Sequence, residues 1–205
     1  MRLRIKTIFA LLLTIAAVSN APAVAQTPAQ PAPTSNKPLR AELALGYSYL
    51  RSNAPPSGCG CFNLNGGSAA FAWQIKPGGS IALVGDVTAA HAGSITSSGY
   101  NLTLSSYTVG ARYLPRIGRS SFQPFGQVLI GLAHSSGTLV QGQTPAAFNA
   151  GAAFAANLGG GLDLRANRKF SVRLVQADYL VTTFDNGVND HQNNLRISSG
   201  LVLHF

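Results

Sequence analysis

The chain has 205 residues, of which 46% are hydrophobic and only 10% are charged, whereas about 25% of the residues of an ordinary soluble domain are charged. This length predicts one domain and an export segment, and no stretch beyond the extreme N-terminus approaches the roughly 20 apolar residues of a membrane helix. The net charge is +9, from 15 basic and 6 acidic residues. The basic residues are scattered and are not interleaved with aromatic residues, which argues against nucleic-acid binding.

The first 25 residues predict a secretory signal peptide. Basic residues at positions 2, 4 and 6 precede an apolar stretch over residues 7–18, and Ala23-Val24-Ala25 provides a small-x-small cleavage site. A permanent membrane anchor fits less well because the apolar stretch is short and ends at Ala21-Pro22. Removing this segment leaves 12 basic and 6 acidic residues, so the mature chain would carry a net charge of +6.

Residues 26–38 predict a flexible Pro-rich tether. The segment contains four Pro and few large apolar residues, so it cannot bury enough surface to fold alone. We interpret it as a passive spacer, with binding of a partner in an extended conformation as the alternative. The folded domain is then expected over residues 39–205.

From Leu39 onward, the chain divides into runs in which apolar and polar residues alternate, as they do in strands. We count eight such runs: Ala41–Leu50, Phe62–Gln74, Ser80–Ala90, Tyr100–Leu114, Phe122–His134, Asn149–Leu164, Phe170–Thr183 and Gln192–Phe205. Most of them are long enough for the roughly 9–11 tilted residues of a membrane strand.

The connections between these strands alternate in length. Those after the first, third, fifth and seventh strands are long and polar, and those after the second, fourth and sixth are short. Short periplasmic turns and long external loops are typical of bacterial outer-membrane barrels. The pattern therefore predicts an all-β fold, an eight-stranded antiparallel up-and-down transmembrane β-barrel with both ends of the domain on the periplasmic side.

Charged residues within the strands indicate which face points inward. A Lys or Arg that faces lipid near the midplane costs roughly 2–4 kcal/mol, so each mid-strand charge is expected in the lumen. If Arg196 points inward, Leu195 and Ile197 face lipid, because alternate side chains lie on opposite faces of a strand. The same orientation follows in four other strands from Glu42, Asp86, Arg112 and Asp163.

The other inward positions carry mainly Ala, Gly, Ser and Thr, which suit the crowded interior of an eight-stranded barrel. We predict a lumenal ion-pair network, because charges removed from water need partners. Its expected members are three acids and three bases: Glu42, Asp86, Asp163, Arg112, Arg173 and Arg196. The alternative is that these charges are solvated independently near the ends of the barrel.

Two strands fit the alternation less well. Arg173 and Asp178 lie on opposite parities of the seventh strand, so a regular strand cannot point both of them inward. Either a β-bulge lies between them or Asp178 sits at an interface. In the second strand, Asn63 shares one parity with Phe71 and Trp73, so its lipid-facing side is not defined.

Cys59 and Cys61 are the two cysteines of the chain and lie in the first long loop. Exported thiols tend to be oxidised, so we predict a local disulfide that stiffens the loop, although a Cys-x-Cys ring is tight for ordinary disulfide geometry. Intermolecular pairing and metal capture are the alternatives. A zinc site is not expected, because zinc is usually bound by four Cys or His ligands and the sequence offers two Cys with no nearby His.

We expect no catalytic, cofactor-binding or metal-binding residues. His134 and Ser136 are similar to the catalytic pair of outer-membrane lipid A deacylases, in which His activates Ser for acyl transfer. However, no acid lies between Ser136 and Leu162 to orient the His. The segment from Asp185 to Asp190 offers oxygen ligands without the spacing of a calcium loop, and we interpret it as a turn.

The last strand carries the clearest resemblance to a known family. Its apolar face ends in Phe205, and this ending resembles the final strand of bacterial outer-membrane barrels, whose terminal Phe is part of the signal read by the assembly machinery. The first strand (ELALGYSY, 42–49) and the segments NLGGGLD (157–163) and SVRLVQADY (171–179) add to this likeness. Residues 39–205 thus resemble the outer-membrane β-barrel domain family, the small eight-stranded OmpA/OmpX-like barrels of Gram-negative bacteria.

The resemblance implies a small monomeric barrel in the outer membrane, without a wide pore. Its expected partners are outer-membrane lipid, lipopolysaccharide and the assembly machinery, with no cofactor and no nucleic acid. We predict a structural or surface-interaction role. The alternatives are a barrel that transports small solutes or hydrophobic molecules and, with less support, a barrel enzyme that modifies lipid A.

Overall fold

The structure, a computed structural model, describes residues 40–52, 61–95, 101–115, 117–118, 120–137, 151–184 and 190–205. These residues form strands β1 (Ala41–Ser52), β2 (Phe62–Gln74), β3 (Ile81–Ala92), β4 (Leu102–Tyr113), β5 (Phe122–Ser136), β6 (Gly151–Arg165), β7 (Phe170–Thr182) and β8 (Gln192–His204). Each strand begins and ends within two residues of the bounds predicted from the alternation. Within the described ranges, no helix is both long and apolar enough to cross a membrane.

The strands form one closed barrel in the order β1 to β8, and each pairs antiparallel with its sequence neighbours. The barrel closes where β1 pairs with β8, with Glu42 opposite His204 and Ser52 opposite Asn194. Every strand therefore has a partner along both edges, which satisfies the backbone groups that a bilayer could not. The predicted eight-stranded antiparallel up-and-down barrel is confirmed.

Both ends of the described barrel lie at the same end as the three short turns. The Arg40 N–H donates to the Phe205 carbonyl at 2.8 Å, and the His204 N–H donates to the Lys169 carbonyl at 2.8 Å. The turns that join β2 to β3, β4 to β5 and β6 to β7 also lie there, as the antiparallel order requires. We call this the short-turn end, and by the pattern of outer-membrane barrels it faces the periplasm.

The outward face of the barrel is an apolar belt. Along β8, buried and exposed residues alternate, with Arg196 buried and Leu195, Ile197 and Leu201 exposed. Other exposed residues of this belt are Leu45, Tyr47, Leu83, Val87, Tyr107, Val109, Val128, Ile130, Leu132, Phe154, Leu158 and Tyr179. Monomeric soluble proteins rarely expose contiguous apolar patches larger than a few hundred Å², so a surface of this kind is suited to lipid.

The irregularity expected in the seventh strand is a β-bulge in β7. Arg173 pairs with Gly200 and Gln176 pairs with Ser198, so Leu174 and Val175 together face a single residue of β8. Both of these residues are exposed, whereas Arg173 and Asp178 are buried. The extra residue switches the parity of β7, and both charges therefore point into the lumen. Of the two explanations given for this strand, the bulge is confirmed.

Inward-facing apolar side chains fill the lumen towards the long loops. We call them the outer lumenal cluster: Leu50, Phe62, Leu64, Ala90, Ala92, Leu102, Leu104, Ala133, Ala153, Ala155, Leu180 and Phe184. A second cluster of smaller side chains lies among β1, β2, β3, β5 and β8. The alternation alone does not predict these clusters, because their residues share the inward parity of the charged ones.

Gly46 and Gly200 face each other across the seam between β1 and β8. A Cβ at Gly46 would collide with the Ser199 carbonyl oxygen, and a Cβ at Gly200 would collide with the Leu45 carbonyl oxygen. The obstacle is backbone, which cannot move without separating the strands. The two glycines thus allow the backbones at the closing seam to approach each other.

Replacing Gly200 with Ala should lower the free energy of unfolding by about 1–3 kcal/mol, as overpacking in a tight site does. The matched control is Gly85→Ala in β3, where an added Cβ has no atom within 4 Å. We expect this control to stay within about 0.5 kcal/mol of the parent. Urea unfolding in phospholipid vesicles measures both, and equal midpoints for the two variants would contradict the close approach.

Candidate functional site

Arg196 in β8 is fully buried and pairs with carboxylates from two other strands. Its Nη1 lies 2.5 Å from Asp86 Oδ1 on β3, and its Nε and Nη2 lie 2.9 and 2.8 Å from Asp178 Oδ2 on β7. Nη1 also donates to the Thr88 hydroxyl oxygen. Because β3 is not a neighbour of β8 in the barrel order, the pair with Asp86 crosses the lumen.

Asp178 connects this centre to two glutamines. Gln127 Nε2 donates to its Oδ1 at 3.2 Å, and Gln176 Nε2 donates to its Oδ2 at 2.7 Å. With the two bonds from Arg196, the carboxylate accepts four hydrogen bonds from nitrogen. A buried carboxylate needs this degree of pairing to offset the loss of water.

Arg173 and Arg112 lie nearer the short-turn end, and both contact one aromatic ring. Their guanidinium carbons lie 4.5 and 4.4 Å from the centre of the Phe125 ring, within the range of cation–π contacts. Arg173 binds Asp163 through two bonds of 2.8 and 3.0 Å, the bidentate geometry that arginine favours. Arg112 lies 3.5 Å from Glu42.

Gln176 and Gln127 join these pairs into one set. Arg173 donates to Gln176 Oε1 at 2.8 Å, and Arg112 donates to Gln127 Oε1 at 2.9 and 3.2 Å. Both glutamines then donate to Asp178. We call the whole set the lumenal network: Glu42, Asp86, Thr88, Arg112, Phe125, Gln127, Asp163, Arg173, Gln176, Asp178 and Arg196.

The structure places all six residues named from the sequence inside the barrel, and each is at least nine-tenths buried. Sequence reasoning did not assign the other five members of the network to this set: Thr88, Phe125, Gln127, Gln176 and Asp178. The bulge concealed Asp178 and Gln176, because both have the parity of the lipid face in a regular strand that points Arg173 inward. Gln127 gave no signal, since an uncharged polar residue at an inward position is compatible with any lumen.

A second polar chain lies at the short-turn end of the lumen. The Ser171 hydroxyl is 2.8 Å from His204 Nε2, and His204 Nδ1 is 3.7 Å from Glu42 Oε1. The order Ser, His and acid is that of a nucleophile with its base and orienting group. Ser171, however, is 1% exposed, so a substrate cannot reach its hydroxyl in this conformation. The arrangement therefore fixes side chains at the edge of the network.

The sequence also offered candidates for catalysis and metal binding at the long-loop end. His134 and Ser136 are both exposed, and His134 Nδ1 lies 3.2 Å from the Gly151 carbonyl oxygen, to which it donates. Among the described residues, no group of three or more His, Cys, Asp or Glu side chains could hold a metal ion. Cys61 is exposed just before β2, while Cys59 lies outside the described residues, so the loop disulfide stays a prediction.

Phe205, the proposed assembly signal, is exposed at the end of β8. Its backbone N–H donates to the Ala41 carbonyl at 2.9 Å. Its role in assembly stays a prediction.

Most of the segment from Asp185 to Asp190, which the sequence predicts to be a turn, lies outside the described residues, because the structure does not describe residues 185–189. Asp190, which ends that turn, lies 2.9 Å from His191 Nδ1, and this hydrogen bond lowers the pKa of the Asp190 carboxyl.

Comparison with known proteins supports this fold without assigning a close relative. No protein-family model and no curated protein sequence matches the chain. Among solved structures, Neisserial surface protein A superposes with a TM-score of 0.59 at 12% identity, covering 80% of this chain and 97% of that one. Ail of Yersinia pestis superposes with a TM-score of 0.53 at 17% identity, covering 82% of this chain and 99% of that one. OprG of Pseudomonas aeruginosa superposes with a TM-score of 0.51 at 11% identity, covering 82% of this chain and 97% of that one.

The chain therefore has the fold of the small eight-stranded outer-membrane barrels. Its own surface leads to the same setting, because the belt around the barrel is apolar while the charged side chains lie inside. In an aqueous environment, the charged side chains would be favoured on the outside and the apolar ones on the inside. The barrel is accordingly an outer-membrane barrel.

Replacing Arg196 with Leu should destabilise the barrel strongly. The substitution leaves Asp86 and Asp178 buried without their main partner, a change that typically costs about 3–5 kcal/mol. Urea unfolding of the folded protein in phospholipid vesicles measures this loss.

The matched control for Arg196→Leu is Arg51→Leu. Arg51 is exposed at the end of β1 and donates to Asn63 Oδ1 at 3.3 Å, so its loss should change the free energy of unfolding by about 0.5 kcal/mol or less. An Arg196→Leu protein as stable as the parent would mean that the buried charges do not depend on each other.

Proposed function

We propose that this protein is a closed outer-membrane scaffold with a structural or surface-interaction role, and not a pore. One observation carries the proposal: the lumen is filled by mutually bonded side chains. Arg112 and Arg196 are 1% and 0% exposed, and the Phe125 ring contacts the guanidinium groups of Arg112 and Arg173. An eight-stranded barrel has an interior that side chains just fill, so the described side chains leave no continuous water-filled path through this layer.

The long loops are then the part of the protein that meets other molecules. Their sequences are rich in Ser, Gly, Asn and Thr, and across all four long connections the charged residues are only Arg51, Asp185 and Asp190. Ail, whose name refers to attachment and invasion, has been solved with the heparin analogue sucrose octasulfate. The long connections of this chain offer a sulfated partner of that kind only one basic residue, Arg51. We therefore propose a neutral partner that binds the loops through hydrogen bonds.

The remaining partners follow from the barrel itself. The apolar belt contacts the acyl chains of the outer membrane, with lipopolysaccharide on the side of the long loops. Among the described strands each edge is already paired within the chain, so the barrel needs no second copy to complete its sheet, and we propose a monomer. We also propose that it has no enzymatic role, because the Ser171 hydroxyl is enclosed and the described His134 bonds a backbone carbonyl.

Conductance measurements test the closed lumen. The folded protein in planar bilayers should give no stable conductance steps, whereas an Arg112→Ser, Phe125→Ser double variant should give them, because both substitutions remove bulk from the same layer. Slower migration on a gel after boiling checks that each protein is folded in the assay. Steps from the parent protein would contradict the proposal.

A second candidate function, passage of hydrophobic molecules, is favoured by the outer lumenal cluster. Leu50, Leu64 and Leu102 are at most 1% exposed and line the lumen towards the long loops. A hydrophobic solute could enter this apolar cluster once its packed side chains move apart, while the lumenal network beneath it would block passage straight through the barrel. Such a solute would have to leave sideways into the bilayer.

Uptake of a hydrophobic fluorophore by intact cells separates the two candidates. For a scaffold, expression of the protein should leave the rate of N-phenylnaphthylamine uptake unchanged. For a hydrophobic route, expression should raise the rate, and Leu64→Asn with Leu102→Asn should return it to the background. Tyr107→Phe on the outward face of β4 serves as the control variant, because it leaves the lumen unchanged.

A further inference from the structure

The charges that lie outside the lumen are distributed unequally between the two ends of the barrel. At the short-turn end, the structure describes five basic side chains, and all of them are exposed: Arg40, Lys76, Arg165, Arg168 and Lys169. No described Asp or Glu is exposed there, because Glu42 and Asp163 point into the lumen and are 7% and 5% exposed. The sequence of the turn between β4 and β5 adds Arg116 and Arg119.

These basic residues are spread around the barrel. Arg40 precedes β1, Lys76 lies in the turn between β2 and β3, and Arg165, Arg168 and Lys169 surround the turn between β6 and β7. We call the five described residues the basic rim. Arg165 donates to the amide oxygen of Gln123 at 3.0 Å, a neutral partner that leaves its positive charge uncompensated.

Exposed apolar side chains lie directly beside the basic rim. Ile75, 64% exposed, precedes Lys76, and Phe170, 46% exposed, follows Lys169. Ile117 in the turn between β4 and β5 is 50% exposed and lies between Arg116 and Arg119 in the sequence. An apolar residue next to a cation is the arrangement that suits the boundary between acyl chains and headgroups. The rim thus continues the lipid-facing belt.

We infer that the basic rim binds the phosphate groups of anionic glycerophospholipids in the periplasmic leaflet. Clustered Lys and Arg beside a membrane surface attract anionic lipid, and Arg in particular forms strong bonds with phosphate oxygens. The rim meets the headgroup layer around more than half of the barrel. At the short-turn end, its residues lie in or beside five of the eight strands or their turns: β1, β2, β3, β6 and β7. Binding there would fix the depth of the barrel in the bilayer.

The opposite end of the barrel does not offer the same chemistry. Its described charges are Arg51 and the exposed Asp190, whose pKa is lowered by the hydrogen bond from His191. The carboxylate therefore stays negative and balances Arg51. Lipopolysaccharide phosphates lie on that side in this orientation, which is why the phosphates that match the basic rim are those of the phospholipid leaflet.

Native mass spectrometry of the folded mature chain measures the binding. The protein in detergent is mixed with equal amounts of phosphatidylglycerol and phosphatidylcholine, and the retained lipids are counted. We expect the parent to retain phosphatidylglycerol preferentially. In an Arg40→Gln, Lys76→Gln, Lys169→Gln triple variant, the ratio of retained phosphatidylglycerol to phosphatidylcholine should be at least tenfold lower. Removing one positive charge should lower this ratio about fivefold, since one basic residue near an anionic surface is worth about 1 kcal/mol.

Single variants provide the matched control. Lys76→Gln and Arg51→Gln each remove one positive charge from an exposed position, at the short-turn end and at the opposite end respectively. Only Lys76→Gln should weaken phosphatidylglycerol retention, and Lys76→Arg should restore it. All variants should keep the migration shift of a folded barrel on unboiled gels, because none of these side chains lies in the lumen.

Three results would overturn the inference. They are equal retention of the two lipids by the parent, a triple variant that keeps the full preference, and an equal effect of Lys76→Gln and Arg51→Gln. Purified peptidoglycan serves as a competitor in the same assay. If it bound the parent and displaced phosphatidylglycerol through the same residues, the rim would belong to a cell-wall partner and the lipid assignment would be wrong.

Discussion

The ion pairs of Arg196 with Asp86 and Asp178 are the interaction on which the interior of the barrel depends. They join β8 to β3 across the lumen and to β7 beside it, and the glutamines on β5 and β7 connect them to the pairs nearer the short-turn end. Desolvated charges are stable only when their partners are held in place. The closed barrel supplies that condition, because every strand is fixed by two hydrogen-bonded neighbours.

The β7 bulge shows how backbone geometry determines the composition of the network. Without the extra residue at Leu174–Val175, either Arg173 or Asp178 would face lipid. A lipid-facing charge is costly near the midplane, and the lumen would lose a carboxylate that accepts four hydrogen bonds. The bulge thus lets one strand contribute two charges of opposite sign to the same interior. The two residues that it exposes, Leu174 and Val175, are apolar and suit contact with lipid.

The distribution of charge distinguishes three regions of the described barrel. The lumen holds paired and buried charges, the described residues of the long-loop end carry the charges of Arg51 and Asp190, and the short-turn end presents basic side chains beside apolar ones. A filled lumen favours a scaffold whose interactions occur at its surfaces. The outer lumenal cluster is the feature that keeps a hydrophobic route under consideration, because apolar side chains line the entrance above the network.

The sequence by itself determined the fold class, the strand count, the strand bounds to within two residues and the inward orientation of five strands. It could do so because a period of two, the cost of lipid-facing charge and the alternation of loop lengths are local properties. It could not determine which inward charges meet, since Asp86 and Arg196 are 110 residues apart, and no local pattern encodes the register that brings them together. The place of Asp178 was decided only by the tertiary structure, because a single extra residue in β7 reverses the face of every residue after it.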